Sequence, residues 1–165
     1  MYVINQKDQN VLLSEMTMLR KDSETLEAYY HHPSTEMMWK SFFPRANAHR
    51  RGPKILRTDP VPEQLEEWLE DCLSDKNIEN ARGLGIELSA LPHLWQDLLN
   101  IIEQDYRKYG RKQLRVFFKY LRINKYEELF KELNIDPKEI EIEKETLNKL
   151  SRRSKIIRFK RFWFF

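Results

Sequence analysis

Four histidines, at positions 31, 32, 49 and 93, and one cysteine, Cys72, are the side chains suited to nucleophilic, acid–base or metal chemistry. No HExxH spacing is present and Cys72 has no CxxC partner, so neither pattern of a zinc site occurs. His31 and His32 precede Pro33, and His49 lies in the basic run Arg45-Ala-Asn-Ala-His-Arg-Arg. Two imidazoles near neutrality could act as acid and base in RNA cleavage. Nothing in the sequence brings these histidines together, and a helix end before a proline or a solvated basic loop accounts for them as well. His93 falls beside Gln96 and Asp97 on a polar arc. Cys72 falls on an apolar arc and reads as a buried thiol. No phosphate loop, GxGxxG or GxSxG motif is present; Gly83-Leu-Gly85 sits inside a helical pattern, where close helix packing explains it. No catalytic residue, metal or cofactor is expected.

Charge placement says more. The 165 residues carry a net charge of only +3 with a single cysteine, which fits a reducing, cytoplasmic setting. Residues 1–60 hold nine Lys and Arg against seven Asp and Glu; residues 61–110 hold four against eleven; residues 111–165 hold sixteen against eight. Five acids, Glu63, Glu66, Glu67, Glu70 and Asp71, fall on one helical arc, and Glu79 and Glu87 on the next helix are expected to extend it. Like charges at i, i+4 cost a helix a few tenths of a kcal/mol per pair, so this face suits a basic partner. A second surface, Lys112, Arg115, Lys119 and Arg122 together with Arg158, Lys160 and Arg161 of an aromatic tail, offers the alternative of nucleic-acid binding by charge and stacking.

The elements that must position these residues follow from periodicity. Residues 2–5 and 10–13 flank a polar stretch and suggest a small hairpin. Asp22 or Ser23 suggests a helix start ahead of Leu26, Tyr29 and Tyr30. Residues 31–62 carry five prolines with Trp39, Phe42 and Phe43, a loop-rich but anchored stretch. From residue 63 the spacing predicts helices over 63–73, 76–90, 93–108, 111–122, 125–133 and from Asp136-Pro137 through Leu150. Ala81, Gly85 and Ser89 make a small-residue ridge that lets a neighbouring helix approach. The tail from Ile156 to Phe165 reads as a strand pairing with the N-terminal strands. No apolar run is long enough to span a membrane, and the first residues do not read as a signal peptide.

Residues 65–88, with their hydrophobic spacing, Ser-Asp turn and Ala-x-x-x-Gly stretch, resemble one HEAT-type α-helical hairpin; His93 to Arg122 would be a degenerate second pair. The small-residue stretch does not recur in residues 111–122, which argues against a regular solenoid. The expected fold is mainly α (α+β), antiparallel HEAT-like hairpins with a small β element from the N- and C-terminal strands. It forms one domain, with a mixed part at 1–60, a helical core at 61–150 and a basic aromatic tail strand at 151–165. Size, hairpin and charge pattern together resemble bacterial immunity proteins. The resemblance implies a non-enzymatic protein that binds and neutralises a toxin, often a basic nuclease, through its acidic helical face.

Overall fold

Alternation with a period of two governs residues 28–59. In the computed structural model, which describes residues 1–47 and 49–163, with the backbone alone for 161–163, Ala28, Tyr30 and His32 point to one side and Tyr29 and His31 to the other. This is strand β3 (Ala28–His32), not a helix; β2 (Thr17–Lys21), β4 (Met37–Phe42) and β5 (Ile55–Asp59) lie beside it, and β1 (Tyr2–Val3) pairs with β5. The antiparallel sheet runs β1-β5-β4-β3-β2. The prolines of residues 31–62 sit between and beyond the strands: Pro33 in the β3–β4 turn, Pro44 and Pro53 in the β4–β5 connection, Pro60 and Pro62 after β5. There they cost no ladder hydrogen bond.

Helix α1 (Gln6–Ser14) replaces the expected N-terminal hairpin. Asn5 caps it, its side chain accepting from the Lys7 and Asp8 amides. Leu12 and Leu13 of this helix, with Met16, pack on one face of the sheet against Ala28, Tyr30, Trp39 and Leu56. On the opposite face Phe42 and Ile55 join the helical core.

That core is built by α2 (Leu65–Leu73), α3 (Ile78–Ser89), α4 (Trp95–Gln104), α5 (Arg111–Leu121), α6 (Tyr126–Leu133) and α7 (Pro137–Trp163). Each buries the residues its periodicity marks, for example Trp95, Leu98, Leu99 and Ile102 on α4 and Leu114, Phe117, Phe118 and Leu121 on α5. The α3–α5 contact is the most extensive between helices. A Cβ on Gly85 would lie 2.6 Å from the Phe117 carbonyl oxygen, so only glycine permits this approach.

The chain is an α+β fold, which corrects the expected arrangement of HEAT-like helical hairpins. The sheet draws on residues 2–59, and the described residues of the tail contribute nothing to it. Residues 151–163 continue α7 because Leu147, Leu150, Ser151, Ser154 and Ile157 repeat at helical spacing and are buried. That spacing outweighs the alternation of Ile156 to Trp163, which had suggested a strand. Phe164 and Phe165 lie outside the described residues. Among the described residues no helix is long and apolar enough to cross a membrane.

Candidate functional site

The α2 helix places Trp68, Leu69, Cys72 and Leu73 inward and Glu63, Glu66, Glu67, Glu70 and Asp71, from its N-terminal approach to its last turn, outward and exposed. Acids in the first turn suit the helix dipole, but Glu70 and Asp71 sit at its negative end with no base in the last turn. The cation that meets this face is Lys108, whose Nζ lies 2.7 Å from Glu70 and 3.7 Å from Glu66. The Glu70 hydrogen bond holds the Lys108 ammonium above its ordinary value. Glu63, Glu67 and Asp71 have no ion-pair partner among the described residues.

A cavity of about 320 Å³ opens beside this face. Asp71, Trp68 and Cys72 line it from α2, Pro60, Val61 and Pro62 from the connection, and Tyr2, Arg57 and Thr58 from the sheet, with Met1, whose ammonium donates to Thr58 Oγ1 at 2.9 Å. Burial pushes the Cys72 thiol up to about 12, so at neutral pH it is an inert core group rather than a nucleophile.

The structure does not bring Glu79 and Glu87 to the acidic face. Glu79 accepts from the Ile4 and Asn5 amides at 2.8 and 3.0 Å, which fixes the approach to α1. Glu87 is buried; it accepts from the Tyr2 hydroxyl at 2.7 Å and from Arg57 Nε at 3.1 and 3.2 Å. Burial pushes the Glu87 carboxyl up against the pull of Arg57, and raises the Tyr2 hydroxyl well above its usual value. Burial also opposes the Arg57 charge, but Glu87 and Asp59 together hold it above its ordinary value. Arg57 belongs to a row that takes one residue from each strand: Tyr2, Arg57, Lys40, Tyr29 and Arg20 face one another across the sheet. Arg20 stacks over the Tyr29 ring at 4.4 Å, and Lys40 lies 2.7 Å from Glu27. This row went unnoticed in the sequence because it needs the register of all five strands; alternation around Tyr29 and Lys40 was the available trace of it.

No family model, curated protein or solved structure matches the chain.

The basic residues divide. Lys112, Arg115 and Lys119 are exposed on α5. Arg122 instead closes α5 in the left-handed conformation at φ 59° and is tied to Glu132 at 2.6 Å and Glu128 at 3.5 Å. On α7, Arg158 is half-buried and Lys160 exposed; the Arg161 side chain lies outside the described residues. The histidines are also scattered. His31 faces Glu36 at 3.2 Å, His32 faces Glu15 at 3.6 Å, and His49 lies in the β4–β5 connection near α6. No contact joins His49 to His31 or His32 among the described residues. Among those residues no group of three His, Cys, Asp or Glu is placed to hold a metal ion. The arrangement that remains is a carboxylate-rich helix face with a cavity of mixed polar and apolar lining at its edge.

Proposed function

We propose that the chain is a non-enzymatic protein-binding module that engages a basic partner through α2, as a bacterial immunity protein engages its toxin. The observation that carries this reading is the face of five exposed carboxylates met by one lysine, two of them at the unfavourable end of the helix. A helix shaped for stability alone mixes its signs. The cavity beside Asp71 adds a place for an anchor.

The partner expected first is the product of a neighbouring gene carrying a basic toxin domain. Co-expression tests this. The wild-type chain should co-purify with that product and protect cells from it, and the double variant Glu67→Lys/Asp71→Lys should lose both properties while remaining folded. Failure of the wild type to bind or protect, or full protection by the variant, would overturn the reading.

A further inference from the structure

The long helix α7 is polarised along its length. Residues 138–147 carry Glu139, Glu141, Glu143 and Glu145 against Lys138 and Lys144, whereas residues 148–161 carry seven Lys and Arg and no acid. The helix dipole favours this order but acts only within the terminal turns. It accounts for Glu139 and leaves Glu143, Glu145, Arg152 and Lys155 unexplained.

The polarity coincides with an exposed stripe. At 100° per residue, Leu147, Leu150, Ser151, Ser154 and Ile157 form the buried side. Directly opposite lie Ile142, Glu145, Lys149, Arg152, Ile156 and Phe159, all exposed. Ile142 is 83% exposed, Ile156 50% and Phe159 53%. Ile142 contributes little to the fold of one chain, and Ile156, at the edge of a cavity it lines with Glu103 and Tyr106, stays half exposed.

We propose that this stripe is the interface of a homodimer in which two α7 helices pack antiparallel about a two-fold axis near Asn148 and Lys149. A second copy is the occupant the charges select. Antiparallel pairing lays each acidic half on the other copy's basic half and sets Ile142 of one chain near Ile156 of the other; parallel pairing opposes like charges throughout. The contacts made within one chain, Glu141 with Lys144 at 3.0 Å and Glu145 with Lys149 at 2.7 Å, are exposed pairs of small worth and yield readily to contacts between chains. An anionic lipid surface or a nucleic acid would meet four glutamates along the same helix.

Sedimentation equilibrium on the full chain tests the proposal with two charge reversals at exposed positions. One is Glu141→Lys/Glu145→Lys, the other Arg152→Glu/Lys155→Glu. The wild type should dimerise, more weakly as salt rises. Each variant alone should associate at least about tenfold more weakly. An equimolar mixture of the two should recover a heterodimer, because the reversed halves complement each other; circular dichroism verifies that both variants are folded. A monomeric wild type, including one that binds anionic vesicles or RNA as a monomer, would overturn the proposal. So would a dimer indifferent to both reversals, or a mixture that fails to associate.

Discussion

Whether a carboxylate is a surface charge or a structural one depends on what its neighbours donate to it. Glu87 takes the Tyr2 hydroxyl and the Arg57 guanidinium in the interior, so Glu87→Ala leaves Arg57 buried with only Asp59 and should cost about 3–5 kcal/mol. Glu67→Ala, on the exposed face, should stay within about 0.5 kcal/mol. Urea unfolding of the two variants separates these roles, which the sequence could not. Helical spacing places Glu79 and Glu87 on α3 but does not say which way α3 faces relative to α2. A second carboxylate, Glu132, is held below the ordinary range by its hydrogen bond from Arg122. Its contribution to stability is full above the unfolded carboxylate value of about 4.3 and is lost as pH falls through the depressed folded value. Both side chains keep some solvent contact, so screening limits the contribution to about 0.5–1 kcal/mol. Arg122→Ala should remove that part of the acid destabilisation, measured by thermal unfolding between about pH 5 and 3.

At the scale of elements, close approach explains why α3 carries glycines within its helix. Gly83 admits the Tyr2 ring, and Gly85 admits the α5 backbone. In an exposed helix Gly→Ala stabilises by up to about 1 kcal/mol. Here Gly85→Ala drives a methyl group into the Phe117 carbonyl and should destabilise by about 1–3 kcal/mol; the sign of the change in denaturation midpoint decides between the two. The Ala81, Gly85, Ser89 spacing made this ridge legible in the sequence, although Ser89 also serves as acceptor for Arg45 Nε at 2.7 Å. Helices between residues 65 and 150 were legible for the same reason, a sustained apolar stripe, whereas the second half of α7 read as a strand. The sheet was not. Its strands are two to six residues long, β2 is exposed along its whole length, and the prolines around the strands mimic a loop. Asn5, which caps α1, was the available sign that residues 6–14 are helical rather than a hairpin.

For the whole molecule, what matters is how charge is distributed over the α+β fold. The near-neutral total conceals an acidic α2 face and a polarised α7, two surfaces of different character. The acidic face was readable as a charge run on one arc; its cavity was not, because Tyr2 and Arg57 meet α2 only through the sheet. Both surfaces lie on elements that bury one side and leave many charged side chains exposed, some of them in surface ion pairs. The proposed function rests on α2 binding a basic protein. Isothermal titration calorimetry of the wild-type chain and Glu67→Lys/Asp71→Lys against the neighbouring gene's product, at low and high salt, tests it most directly. The account predicts a one-to-one complex that weakens with salt and loses at least about tenfold in affinity in the variant; an absent complex, or one equally tight with the variant, would contradict it.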